Sequence, residues 1–552
     1  MKNKFPLIIN IILPLLLIVV AQRAHFRWDA TQDQRYTLNK KSATLLQELE
    51  KTLKIDIFLT GKIPADYLRL QREITTLFKS MEQYTDQLVV SFVDPFEGGG
   101  NTETLVSEMT EFGLPPEYIV ANQNQALEKT VVFPWAIIND GNKTLRISLL
   151  EKVLGDDEQQ KINRSISQLE FKFFDAFYKI TQKQKRTIAV LTSHGTSEEI
   201  KIADFMRSLQ PYYQLASFNL KTMEDDPKKT LDNLRRFPLL LISNPTVGFS
   251  KTEKYLLDQH LLNGGKQWWA LNKLAINIDS LFTSSGSAVA VGRSLNMDNA
   301  FFKYGFRLQK NLIKDLYCAP IVLASGEDRE AHYLPYPWPY YPLAKPKGNK
   351  WFGAYSGNVL MPFSSTIDTL VNPLQKTILI SSSDFSQSLQ IPIGIELKEA
   401  TKKFIPAAFD QKAQTMGVLL KGKFNSAFEN RIKPLVLEEE KTSGESEMIV
   451  FSSGTIAENQ VDKGQPLELG YDKWTNNFYF NKTFLLQSVH YLMGSEELLN
   501  IKAKSIALPR FNIDKVKKFS GDLKLGLLLI PLLILLFFGG LLRWLRILKF
   551  GQ

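Results

Sequence analysis

Two runs along the chain have no charged residue, and both are long enough for a membrane helix. Residues 525–542 read LGLLLIPLLILLFFGGLL, eighteen residues without a charge, which as a helix crosses the ~30 Å hydrocarbon core of a bilayer. Residues 5–21 read FPLIINIILPLLLIVVA, also uncharged. About 500 residues of mixed apolar and polar character lie between them. Two spans predict a chain anchored at both ends, with both termini on one membrane face and the whole body on the other. The first run also fits a cleaved signal peptide, with a basic start at Lys2 and Lys4, an apolar core and small residues near Ala21. Arg543, Arg546 and Lys549 after the second run favour cytoplasmic termini, although Arg23 and Arg27 balance Lys2 and Lys4.

Within the body the apolar spacing alternates between helix and strand periods. Residues 37–53 put Leu38, Leu45, Leu46 and Leu49 on one helical face. Strand patterns at 55–59 and 88–93 flank a helical one at 66–84, and a second helix at 101–112 stops at Gly113. Val131 and Val132, then 136–139 and 145–148, read as strands, the last two joined by the hairpin signal Asp140-Gly141-Asn142. The order β-α-β-α-β-β-β predicts a thioredoxin-like α/β domain over residues 37–150; it has no C-x-x-C, which excludes thiol redox chemistry.

A long helical pattern at 158–180 leads to a second unit, 158–330. TIAVL at 187–191 is a continuous apolar strand of the kind buried on both faces, LLLI at 239–242 is another buried strand, and 266–271 is the next strand. Ser197-Glu198-Glu199 predicts a capped helix start with an acidic first turn; Ser250 caps another helix that Gly264-Gly265 ends. This strand–helix repetition predicts a doubly wound parallel sheet. The remaining ectodomain, 331–510, opens on YLPYPWPYYP at 333–342, whose four prolines and five aromatics predict extended polyproline-II-like structure. Strands at 377–380, 416–420 and 448–451, a polar loop at 438–447 and an amphipathic helix at 481–493 follow.

The composition narrows the chemistry. At 44% hydrophobic and 22% charged residues the body can build cores. The net charge is +10, but no Lys/Arg run exceeds three residues, so nucleic acid is not an expected partner; part of the excess is juxtamembrane, where the lipid bilayer rewards it. Cys318 is the one cysteine, so no intramolecular disulfide forms. There is no G-x-x-x-x-G-K-[ST], no H-E-x-x-H and no G-x-S-x-G. The five histidines, His25, His194, His260, His332 and His490, are scattered, and no metal centre or cofactor is expected.

His194 is the one position with a catalytic look. It follows a buried strand, where doubly wound sheets hold ligands, and histidine suits proton transfer near neutral pH. The same turn equally suits a histidine capping the following helix, and Cys318 lies outside any tight strand–helix turn that would supply a nucleophile. His194 and Gly195 are therefore candidate ligand or partner residues. Trp338, Tyr340 and Tyr341 are candidates for a docking surface on a stiff backbone; the alternative is that these rings pack onto their own domain.

Several segments carry a resemblance to a known family. FPLLLISNPTVGFSKTEKYLLDQHLLNGGKQWWAL at 237–271 and TIAVLTSHGTSEE from Thr187 resemble the auxiliary domain of ABC-transporter-associated proteins. PWPYYPL from Pro337, SSTIDTL from Ser364 and NKTFLLQSVHYLMGSEELLNIKAK from Asn481 are more particular. Together, and essentially end to end, they resemble the gliding-motility-associated ABC transporter auxiliary proteins, the GldG family. The resemblance implies a non-enzymatic subunit in the cytoplasmic (inner) membrane, two-pass, with its body in the periplasm. Its partners would be a separate ABC permease and, through it, a cytoplasmic ATPase serving gliding motility or envelope export. It also implies a sheet like that of class I glutamine amidotransferases without the catalytic cysteine. Two other classes stay open: a membrane-tethered hydrolase using His194, and a structural envelope protein.

Overall fold

The computed structural model describes residues 37–99, 101–123, 126–151, 157–221, 226–283, 285–325, 332–348, 351–352, 357–502 and 519–550. The chain divides into two units, Met1–Ser505 and Ile506–Gln552. The first is a mixed α/β body. The apolar run at residues 5–21 lies outside the described residues.

The amino-terminal part of the body is a four-stranded sheet in the order Leu88–Phe92, Leu53–Ile57, Trp135–Asn139, Thr144–Ser148, with the first pair parallel and the others antiparallel. Alternation puts Leu53, Ile55 and Ile57 on the buried face with Ala136, Ile138 and Ile147. Helices Ala65–Met81 and Glu158–Thr181 supply the opposing wall through Tyr67, Leu70, Ile74, Phe173 and Phe177, and Phe78 meets Phe173 edge to face at 4.8 Å. The long helix begins with a capping box in which Asp157 and Gln160 bond reciprocally. A hairpin, Glu117–Gln123 with Ala126–Val132, extends the strand expected at Val131 and Val132 and pairs it with a strand that the sequence pattern does not announce.

The larger sheet has ten strands among the described residues, nine in line and the tenth, Val359–Leu360, paired with His332–Pro346 off that line. Five run parallel in the order Gln214–Phe218, Thr187–Leu191, Leu239–Ser243, Lys266–Ala270, Ser443–Phe451. Thr415–Asn425, Gln375–Ser381, His332–Pro346 and Cys318–Ser325 continue it antiparallel. Both faces are covered. Phe205, Trp268, Phe451 and Phe484 form one core; Phe249, Trp269, Phe301 and Val450 form the other. Consecutive tryptophans thus point to opposite faces, and each indole N–H is satisfied: Trp268 donates to Ser488 Oγ at 2.8 Å and Trp269 to Gln267 Oε1 at 3.0 Å.

Two segments differ from the sequence pattern. The proline- and aromatic-rich stretch is not a free polyproline-type segment but a strand, His332–Pro346, paired with Cys318–Ser325. Pro335 and Pro337 share one parity, so their missing N–H groups fall on the same edge, and the ladder is carried by the residues between them. The polar stretch at 438–447 enters the sheet from Ser443, because Thr415–Asn425 offers nine paired positions and Lys266 and Lys421 neutralise Glu447 at 2.5 and 2.8 Å.

The described part of the second unit is dominated by the helix Ser520–Phe550, with Pro531 inside it. Its segment Ser520–Leu548 is long and apolar enough to cross a membrane.

Candidate functional site at the strand ends

From Thr187–Leu191 the chain first adds a strand on one side, Gln214–Phe218, and then one on the other, Leu239–Ser243. Such a reversal opens a crevice outside the carboxyl ends of the strands, where open α/β sheets hold ligands. In this protein the two loops flanking the reversal are sewn together by main-chain bonds. His194 and Gly195 take consecutive left-handed conformations, φ 66° and 61°. The turn aims the His194 carbonyl at the neighbouring loop, where it accepts from Thr246 N at 2.8 Å and Val247 N at 2.9 Å. Thr246 Oγ1 donates to the Gly195 carbonyl at 2.9 Å, and Ser197 N to the Ser243 carbonyl at 3.1 Å. A Cβ on Gly195 would stand 2.1 Å from Thr246 Oγ1, so glycine is required by both space and backbone.

The His194 side chain has 0% exposure. It stacks on Phe249 with centroids 4.1 Å apart, and Nδ1 lies 2.8 Å from Ser193 Oγ. Nε2 is 3.0 Å from Glu253 Oε1, a close contact without the alignment of a hydrogen bond. Glu253 belongs to the capping box of helix Lys251–Leu262: Ser250 N donates to Glu253 Oε2 at 2.7 Å and Glu253 N to Ser250 Oγ at 3.2 Å. Burial pushes the Glu253 carboxyl up, but the Ser250 bonds and the nearby imidazole more than offset it, and the net shift is downward. His194 is therefore enclosed by its own fold. It does not cap the following helix, Glu199–Leu209, whose start has no side-chain cap. Nor does Ser197, which turns away to Glu458.

The polar groups that do line the crevice come from distant parts of the chain. Glu458 Oε1 accepts from Ser197 Oγ at 2.7 Å and from Asn244 Nδ2 at 3.0 Å. Asn244, left-handed at φ 50°, takes Arg293 Nη1 on its Oδ1 at 3.4 Å. Asn272 Oδ1 accepts Gly454 N at 2.9 Å, and its amide nitrogen lies 3.5 Å from Asn244 Oδ1. The position after the strand Leu239–Ser243 thus presents an amide, not a nucleophile. Composition gave no sign of Asn244, Asn272, Arg293 and Glu458; the one available signal was the place of Asn244, Asn272 and Arg293 just beyond strands, and Glu458 has none, since it follows the turn Gly454–Ala457.

The aromatic candidates sit elsewhere. Trp338 and Tyr340 are buried in a separate core with Leu312, Phe363 and Ile395. Tyr340 donates to Glu399 Oε2 at 3.1 Å, with Lys314 Nζ 4.8 Å above its ring. Tyr341 is half-buried, edge-on to Phe363 at 5.4 Å, and burial helped by the charge of Asp472 pushes its phenol up to about 12. The exposed large apolar residues of this strand, Tyr333 and Leu334, lie near its start. Burial pushes the Cys318 thiol up to about 12, which leaves it un-ionised and a poor nucleophile at neutral pH. Among the described residues no group of three or more His, Cys, Asp or Glu is placed to hold a metal ion.

A groove of about 580 Å³ lies between helix Lys40–Gln47, the turn at Asp140 and the end of helix Glu158–Thr181. Leu45, Leu49 and Ile180 floor it, and Lys183 bridges to Glu50 at 2.6 Å.

Residues 185–488 match the ABC transporter auxiliary family, described as an ABC-type uncharacterized transport system. Residues 32–139 match a domain of unknown function, DUF7088. No curated protein matches the chain. A solved structure titled mmIFT52 N-terminal domain aligns over 97% of its own length and 56% of this chain, at 11% identity and a TM-score of 0.31, a likeness too slight to carry an argument.

Proposed function

The chain belongs to the ABC transporter auxiliary family, and from that membership we propose that it is a non-enzymatic subunit of an ABC exporter. The family match across residues 185–488 carries the reading. The enclosed His194, the amide at the strand-end turn and the un-ionised thiol support it, because none offers an activated nucleophile to a substrate. In this reading the runs at 5–21 and 525–542 anchor the protein in the inner membrane with cytoplasmic termini. The body, a thioredoxin-like domain at 37–150 and an amidotransferase-like domain at 158–330 completed by 331–510, stands in the periplasm. It works beside a permease driven by a separate ATPase, in envelope export that serves gliding motility. The sewn strand-end loops suit a part that passes on motion as a rigid body rather than one that opens for turnover.

Affinity purification of the full chain in mild detergent tests this. A permease and an ATPase should co-purify in fixed ratio, and removing residues 520–552 should release them. A chain recovered without any ABC component under conditions that preserve other membrane complexes refutes the proposal. Protease added to spheroplasts should cut near Glu439 while leaving Lys549 protected; the reverse pattern inverts the topology.

A further inference from the structure

Arg293 is a half-buried cation at the crevice mouth with no carboxylate within ion-pair distance among the described residues. Its described side-chain bond is the long one from Nη1 to Asn244 Oδ1, 3.4 Å. Half-burying a guanidinium without an opposing charge is costly unless something completes it. Burial alone lowers its pKa, and no neighbouring carboxylate acts against that. A carboxylate is close in the network but does not reach it: Glu458 is held 3.0 Å from Asn244 Nδ2 on the other end of the same amide. Asn244 thus stands as a spacer between guanidinium and carboxylate, and its left-handed backbone fixes it there. Gly454 leaves room for this arrangement, since a Cβ at that position would lie 2.3 Å from Asn244 Oδ1. Gly248 and Ser294 neighbour each other next to Arg293 in the fold and are both exposed, and Arg293 itself is only partly covered.

We propose that the crevice binds the anionic group of a solute, a carboxylate or a phosphate, on the Arg293 guanidinium, with Asn244 keeping Glu458 from filling the place. The planar fork matches either anion with two parallel N–H donors. The site lies one strand beyond the reversal, just outside the ends of Leu239–Ser243 and Lys266–Ala270, and is tied to the loop after Thr187–Leu191 by the Ser197–Glu458 bond. The inference rests on the crevice and not on the transport reading.

The test is a thermal melt of the full chain in detergent, titrated with inorganic phosphate or with acetate at constant ionic strength. The wild type should show a saturable rise in melting temperature; the more effective anion identifies which group the site prefers. Arg293→Gln should abolish the rise. Arg293→Lys keeps the charge but not the fork and should weaken the apparent affinity at least tenfold, which decides the matter if the glutamine variant does not fold. Lys254→Gln removes another half-buried cation, outside the crevice, and should leave the response intact. The absence of a saturable rise with either anion in the wild type, or an equal rise in both Arg293 variants, overturns the proposal.

Discussion

Replacing Trp338 with alanine separates anchoring from docking in the proline-rich strand. The indole has 0% exposure and packs against Tyr340 with centroids 5.0 Å apart. Its N–H has no partner among the described residues, so truncation loses packing and no described hydrogen bond. Removing such a side chain costs about 3–5 kcal/mol. A cooperative unit of roughly 300 residues loses order at about 0.6 kcal/mol per degree, so the melting temperature should fall by about 5–8 °C. Trp338→Phe removes the unpaired donor along with part of the volume, and the two effects oppose each other; it should fall by about 2 °C or less. Tyr333→Ala, at a residue 69% exposed on the same strand, should leave the melt within about 1 °C. The assay is circular dichroism of the full chain in detergent, run alongside co-purification of partners. If Trp338→Ala melts with the wild type, the indole is not a core residue in solution and the packing argument fails. If it melts normally and loses partners, the ring is itself the docking surface.

Gly195→Ala should cost about 1–2 kcal/mol for the left-handed backbone alone, plus the displacement of Thr246; pairing it with Thr246→Ala should recover only the second part, as read by denaturant melts. His260 is buried with its Nε2 3.0 Å from the Phe237 carbonyl, and burial holds its pKa down at about 4 against an ordinary 6.5. The unfolded chain therefore takes up the proton first, so stability is full above pH 6.5 and falls as the pH drops towards 4, by about 2 kcal/mol at pH 5; His260→Gln should flatten that limb in urea titrations. The depressed Glu253 carboxyl acts at lower pH, contributing stability above its ordinary 4.5 that is lost as the pH falls through its folded value. Glu253→Gln should remove that part of the acid sensitivity, measured between pH 5 and 3.

Much of the parallel sheet was readable from the chain. TIAVL and LLLI lie where unbroken apolar strands are expected, because burial on both faces leaves no room for polar alternation, and the strand ending at Ala270 lies where the next one is expected. The helix capped by Ser250 was equally plain, since the capping box is a local signal. What escaped depends on residues far apart in sequence. Pro335 reads as a strand breaker until Cys318–Ser325 is seen to pair beside it. Ser197 reads as a cap until Glu458, 261 positions away, claims its hydroxyl. His194 was conspicuous because histidine is rare in this chain, but its enclosure by Phe249 and Glu253 is a tertiary fact that no local pattern encodes.

The parity of Pro335 and Pro337 has a consequence for how the molecule behaves in a crowded compartment. Although Cys318–Ser325 is the outermost strand, residues 332–342 pair with it on one side only, since pairing on their other side begins at Leu343; such an open side is a template for recruiting further strands through its row of donors and acceptors. With prolines at alternate positions that row has gaps where a recruited strand would need an N–H. The ribbon can keep Tyr333 and Leu334 exposed without inviting indiscriminate backbone pairing. Recognition there falls to side chains, and exchanging Pro335 and Pro337 for valine would turn a selective edge into an adhesive one.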